Sequence, residues 1–258
     1  MSSSTSVLPD YMDCFGLIEG AAKGKRISFL KMGFPWVIDN GIYTGVFKKE
    51  KWIKSLDLLL PFRDTCLEVA LPDELYDCRA TVEKYFVYLP HVRERGYPAA
   101  LVTQDGMRPE DVPWDHVDGL FIGGTNEHKL GPEGAALIEA GKEKGVWVHV
   151  GRVNSRKRLL HTWQADSWDG TAISIEPDTK SRILGNAVRE VRRMKGKHPN
   201  GLLIPTLRHL ALESVLDFVE TDKYPILNCI PDLDCMVDQG TLDAGMILHI
   251  YDNYVYGG

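Results

Sequence analysis

Apolar residues recur along this chain in short blocks, each closed by a polar turn and most followed by a longer stretch with helical spacing. The clearest block is Val146–Val150, which reads as a buried strand ending in Gly151. Earlier, Arg26–Met32 and Pro35–Ile38 read as strands, the second ending in Asp39-Asn40-Gly41. Phe47–Leu60 then places Phe47, Trp52, Ile53, Leu56, Leu59 and Leu60 at helical spacing. The same order repeats. Thr65–Leu71 is a strand ending in Pro72-Asp73-Glu74, and Arg79–Arg95 is a helix with Val82, Phe86, Leu89 and Val92 on one side. Ala99–Thr103 is a strand ending in Gln104-Asp105-Gly106, with a short helical turn near Pro109–His116. Leu120–Ile122 ends in Gly123-Gly124-Thr125 and precedes a helix over Pro132–Lys144. After Val150, Asn154 or Ser155 is placed to cap a short helix. The chain then reaches Ser167-Trp168-Asp169-Gly170-Thr171, a carboxylate at a strand end, and a last amphipathic helix over Lys180–Met194.

Strands alternating with helices predict an α/β fold with a parallel sheet. Polar residues gather after almost every strand: Asp39, Asp73, Gln104, Gly123-Gly124, Arg152 and Asp169. That distribution fits a compact (β/α)8 barrel of the TIM type, whose site is built from the C-terminal ends of several strands. A doubly wound sheet would concentrate its site at one switch point. About seven strands can be placed, so the first or the last of eight is unassigned. The expected organisation is a barrel over residues 1–195 and a C-terminal extension over 196–258, with a linker at Gly196–Gly201. In the extension a helix is expected at Leu207–Val219 and a strand at Ile247–Tyr256.

Composition narrows the classes. A chain of 258 residues can bury a sizeable core. A net charge of −6 argues against wholesale coating of nucleic acid but leaves room for a local basic patch. The five cysteines, Cys14, Cys66, Cys78, Cys229 and Cys235, form no CxxC pair, so neither a disulfide framework nor a zinc knuckle is indicated. No metal or cofactor is called for. The Ser-rich start lacks the regions of a signal peptide, and no apolar run approaches the length of a membrane span, so a cytoplasmic protein is expected. Neither GxGxxG after the first strand nor GxxxxGK[ST] occurs.

The chemistry gathers around Val146–Ser174. A basic cluster, Arg152, Arg156, Lys157 and Arg158 with Asn154 and Ser155 among them, precedes Asp169. A cationic helix start followed by a strand-end carboxylate suits a polyanionic substrate delivered to a nucleophile or base. A solvated basic helix and an ordinary Asp-Gly turn are the plainer reading of the same residues.

Taken together, the strand ends resemble the tRNA-guanine transglycosylase superfamily over roughly residues 35–175. The DSGG-type stretch of that family, with its acid/base aspartate, is similar to Trp36-Val37-Ile38-Asp39-Asn40-Gly41. Its base-reading aspartate and glutamine fall on Asp73 and Gln104, and its paired glycines on Gly123 and Gly124. A MGVG-type strand end resembles His149-Val150-Gly151-Arg152-Val153, and the nucleophilic aspartate falls on Asp169. The stretches Phe121–Thr125, His149–Ser155 and Asp169–Thr171 look most like the DNA-modifying branch. Those enzymes, from phage and bacterial modification systems, insert 7-deazaguanines such as preQ0 into DNA.

The resemblance implies a base exchange by two displacements, much as in retaining glycosidases. Asp169 would attack C1′, and Asp39 would protonate the leaving base and deprotonate the incoming one. Asp73, Gln104, Gly123 and Gly124 would read the base, while Arg152, Asn154, Arg156, Lys157 and Arg158 would hold phosphates. An aromatic ring should sandwich the base. Tyr43, Trp114 and Trp168 are the candidates, although core packing accounts for each. His149, inside its strand, reads as a satisfied barrel residue. The implied partners are DNA, with tRNA as the alternative, and a free 7-deazaguanine base; family enzymes are often dimers. The CxCxxC zinc group of the tRNA enzymes is absent, which favours DNA, and Asp39-Asn40-Gly41-Ile42-Tyr43 departs from DSGGF. Two other readings stay open. One is a non-catalytic, nucleic-acid-binding barrel subunit. The other is an unrelated barrel enzyme taking a small phosphorylated substrate at Gly151–Asn154.

Overall fold

In a computed structural model the chain divides into two units, Met1–Arg192 and Arg193–Gly258. The structure describes residues 13–14, 16–20, 27–43, 45 and 47–197. The expectations for residues 1–10 and for the helix, strand and cysteines beyond residue 200 lie outside the described residues.

Seven strands form one parallel sheet in sequential order: β1 (Leu17–Gly20), β2 (Trp36–Asp39), β3 (Cys66–Ala70), β4 (Ala99–Val102), β5 (Gly119–Ile122), β6 (Trp147–Val150) and β7 (Ser167–Trp168). Each successive pair is hydrogen-bonded in parallel. Between them run α1 (Ile27–Lys31), α2 (Lys49–Leu59), α3 (Cys78–Arg93), α4 (Asn126–Leu130), α5 (Pro132–Glu143) and α6 (Arg156–His161). After β7 come α7 (Ala172–Ile175) and α8 (Pro177–Lys197). A strand order that never reverses keeps right-handed crossovers on one side of the sheet, and the sheet curls into a half-barrel.

The two faces of the sheet divide the work. On the outer face, Gly141 of α5 lies so close that a Cβ there would come within 2.8 Å of Val148 and 3.3 Å of Leu120. On the inner face, register rows run Ala70–Ala100–Gly119–Trp147 and Val102–Phe121–His149–Ser167. Small residues in the first row leave room for the buried Glu68 side chain, whose Oε2 lies 2.7 Å from where a Gly119 Cβ would sit. Two of the buried aromatic residues hold their polar atoms on backbone carbonyls: Trp36 Nε1 donates to Phe62 O at 3.0 Å and Tyr85 Oη to His116 O at 2.7 Å.

Some elements depart from the sequence reading. Arg26–Met32 was expected as a strand, but Ile27–Lys31 is a helix whose buried residue is Leu30. Ile27 and Leu30 satisfy the helical i, i+3 spacing as well as the run satisfies alternation, and five residues are too few to separate the two. The first strand is instead Leu17–Gly20, where Glu19, buried to 1% exposure, breaks the apolar pattern. The last helix is longer than expected, running through Gly196 into Lys197, so the expected linker does not begin at residue 196.

Candidate active site

Asp169 directly follows β7, and the register of that strand decides its surroundings. Because His149 pairs with Ser167 across the sheet, the imidazole lies between Ser167 and Asp169. His149 Nε2 is 3.2 Å from Asp169 Oδ1, and Nδ1 is 2.8 Å from Ser167 Oγ. Trp147 Nε1 donates to that same Ser167 Oγ at 3.0 Å. With Asp169 ionised and His149 neutral, the chain has one consistent direction. Trp147 N–H donates to Ser167, Ser167 O–H to Nδ1, and Nε2–H to the carboxylate. Burial lowers the His149 pKa, which favours the neutral imidazole that this chain needs.

A second donor meets the same carboxylate oxygen. Arg152 N–H donates to Asp169 Oδ1 at 2.9 Å. The backbone there is left-handed, with φ 59° at Arg152. Gly151 before it has no room for a side chain, since a Cβ would sit 2.8 Å from Phe121 and 3.3 Å from Asp169 Oδ1. Burial alone would raise the Asp169 pKa, but the hydrogen bonds from His149 and the Arg152 amide help to outweigh it, and the group is held below its ordinary value. Both hydrogen bonds fall on Oδ1, so among the described residues Oδ2 accepts none.

Asp73 and Gln104 are brought together, and they bond each other. Gln104 Nε2 donates to Asp73 Oδ2 at 2.5 Å, and Asn40 Nδ2 donates to Asp73 Oδ1 at 2.9 Å. Gln104 Oε1 accepts Tyr76 N–H at 2.9 Å, fixing a left-handed turn with φ 65° at Tyr76. Burial pushes the Asp73 carboxyl up to about 6, and the Asn40 bond offsets part of that. Asp39 ends β2 and accepts Gly41 N–H at 3.0 Å. Its charge acts on both Asp73 and His149, so it lies within electrostatic reach of the two carboxylate networks.

The paired glycines are packing-driven. A Cβ on Gly123 would meet Thr103 O at 2.7 Å, and one on Gly124, where φ is 72°, would meet Asp105 Oδ2 at 2.6 Å. The Gly123 N–H is donated to Thr103 Oγ1 at 3.2 Å, and Asp105 staples the turn through Thr125 N–H at 2.9 Å.

The basic cluster is divided among several tasks. The Arg152 guanidinium lies 4.3 Å over the Tyr43 ring and donates to Gly124 O. Asn154 Oδ1 accepts Ala172 N–H at 2.9 Å, and Ser155 caps α6 through Arg158 N–H. Arg156 pairs with Glu190 of α8 at 3.0 Å. Lys157 and Arg158 are half-buried. Of the aromatic candidates, Trp168 donates to Thr162 Oγ1 and Trp114 to Pro109 O, both as structural anchors. Tyr43 was expected to pack in the core but is 59% exposed.

Three of the buried ionisable residues stand out for having carried no sequence signal. His149 was read as packing and touches Asp169. Lys129 on α4 is 2% exposed and donates to Gly151 O at 2.8 Å. Glu68 is fully buried with both carboxyl oxygens unpartnered, and burial pushes its pKa well above the usual carboxylate range. Among the described residues, no group of three or more His, Cys, Asp or Glu is placed to hold a metal ion. No described helix is long and apolar enough to cross a membrane.

The fold and site together define a singly wound parallel α/β protein with an ionised carboxylate at the C-terminal end of its last described strand. No family model matches the chain, and no curated protein matches it significantly. Among solved structures it is similar to the tryptophan synthase A-subunit of Pyrococcus furiosus, at 16% identity over 66% of this chain and 74% of that one, with a TM-score of 0.41. Tryptophan synthase from M. tuberculosis aligns at 13% identity over 73% and 99% of the two chains, TM-score 0.40. L-Talarate dehydratase from Polaromonas sp. JS666 aligns at 11% identity over 62% and 43%, TM-score 0.35.

Proposed function

We propose that this chain is a base-exchange transglycosylase, built as a (β/α)8 barrel, that replaces guanine in DNA by a 7-deazaguanine. The observation that supports this reading most is the state of Asp169: ionised, with Oδ1 held by His149 and the Arg152 amide and Oδ2 accepting no hydrogen bond among the described residues. A carboxylate prepared in that way suits nucleophilic attack at a sugar carbon. Asp169 Oδ2 attacks C1′ as the C1′–N9 bond breaks, and the leaving guanine takes a proton from Asp39. The incoming 7-deazaguanine gives its N9 proton back to Asp39, attacks C1′ and displaces Asp169. Asp73 and Gln104 open their mutual bond to meet the base edge, and Tyr43 stacks on the ring. The target guanine leaves the duplex stack, at a cost of a few kcal/mol.

The test is incubation of a guanine-labelled DNA duplex with the protein and preQ0. Label release, abolished in Asp169→Ala and matched by 7-deazaguanine in the DNA, is the expected result. Release from tRNA with DNA left intact moves the substrate to tRNA, and release from neither overturns the reading.

A further inference from the structure

Among the described residues, Lys129 is the one Lys or Arg buried from solvent, and its ammonium does not pair with a carboxylate. It donates instead to the carbonyl of Gly151 at 2.8 Å. The same peptide unit presents its other end, the Arg152 N–H, to Asp169 Oδ1 at 2.9 Å. One rigid plane therefore carries a cation on its oxygen and a carboxylate on its amide hydrogen. A cation on the carbonyl draws electron density from the amide and makes its N–H a stronger donor, and the effect is larger in a buried setting.

The surrounding structure holds this plane in place. The backbone at Arg152, whose N–H meets Asp169, is left-handed, a conformation strained for a residue other than glycine. Gly134 of α5 packs so tightly under α4 that a Cβ there would collide with the Lys129 and His128 carbonyls, which fixes where Lys129 starts. The indirect route has a chemical consequence. A direct Lys129–Asp169 pair would put a proton donor on the carboxylate, whereas the peptide delivers the charge through Oδ1 without placing the ammonium on Oδ2.

We propose that Lys129 is a positioning residue for Asp169, acting through the Gly151–Arg152 peptide to fix Oδ1 and keep the carboxylate ionised. The geometry stands on its own, and the consequence for chemistry rests on Asp169 being the nucleophile proposed above. The charged groups around Lys129 are Arg152 and Arg158 from the loop and helix after β6, Asp169 after β7 and Asp105 after β4. Those acting on Asp169 also include His149 of β6, and Asp169 in turn acts on Glu68 of β3. Burial, with Arg152 adding to it, brings the Lys129 ammonium down to about 8, so its charge can be removed in the intact protein.

The experiment follows the carboxyl carbon of Asp169 and the amide of Arg152 by NMR across pH. In Lys129→Met the Asp169 titration moves up by about one pH unit. In Lys129→Gln, which keeps a donor without the charge, it moves by less. In the wild type, the Arg152 amide nitrogen shifts with the midpoint at which Lys129 loses its proton, about 8. A folded Lys129→Met whose Asp169 titrates as in the wild type overturns the proposal. So does an Arg152 amide that stays still while Lys129 deprotonates, and that measurement decides alone if neither variant folds. A protein inactive on DNA and tRNA that shows the coupling refutes the transglycosylase reading and leaves the Lys129 relay standing.

Discussion

The two ends of the sheet treat their carboxylates in opposite ways. At the N-terminal end, Asp118 precedes β5, accepts Ala99 N–H at 2.7 Å and pairs with Arg93 at 2.6 Å. Asp166 precedes β7, accepts Val148 N–H at 2.9 Å and pairs with Lys142 at 2.5 Å. Each ties a neighbouring strand to a helix and carries its cation directly. At the C-terminal end the two cations nearest Asp169 are diverted. Lys129 bonds Gly151 O, Arg152 bonds Gly124 O and lies over Tyr43, and Asp169 and Asp73 are met by neutral donors. Neutralised carboxylates hold the sheet together, and in the function proposed above the carboxylates left charged or half-protonated carry the chemistry.

Breaking the C-terminal side should cost function most. Asp169→Asn keeps an oxygen for the Arg152 amide, so the melting temperature should move little. Base exchange should fall on the order of 10³-fold or more, read from guanine release per folded molecule. Asp73→Asn sharpens the contrast through pH. The folded Asp73 carboxyl titrates near 6, above its unfolded value of 3.8, so its contribution to stability is present at low pH and lost as pH rises through 6. Urea unfolding of Asp73→Asn should lack that loss, worth about 2 kcal/mol between pH 4 and 7. Asp118→Ala tests the other end. It should destabilise by about 1–2 kcal/mol while activity per folded molecule stays unchanged, because the Ala99 amide and Arg93 lose their partner. Tyr43→Leu should have the smallest effect on stability, about 0.5–1 kcal/mol from the lost stacking under Arg152, read from the same urea curves.

The strand ends were legible because each apolar block stops at a polar residue whatever the sheet does later. Asp39, Asp73, Gln104 and Asp169 were placed that way, and so was the alternation of strands and helices. What periodicity could not carry was register. His149 reads as a buried strand residue in its own segment, and only pairing with Ser167 puts its ring against Asp169. Lys129 lies in a five-residue helix with no amphipathic signature, and its acceptor belongs to the loop after β6. Glu19 and Glu68 are carboxylic residues inside strands, and the strand that carries Glu19 was passed over. Tyr43 was expected to pack in the core; it is 59% exposed, with the Arg152 guanidinium, more than a hundred residues later, over its ring.

Trapping the proposed covalent intermediate tests the central claim most directly. The protein is mixed with guanine-containing DNA and no incoming base, quenched with denaturant, and the protein–DNA species is digested and mapped by mass spectrometry. The account predicts a sugar ester on Asp169, lost in Asp169→Asn and discharged when a 7-deazaguanine is added. An adduct on another residue, or guanine released from DNA by Asp169→Asn at the wild-type rate, would contradict it.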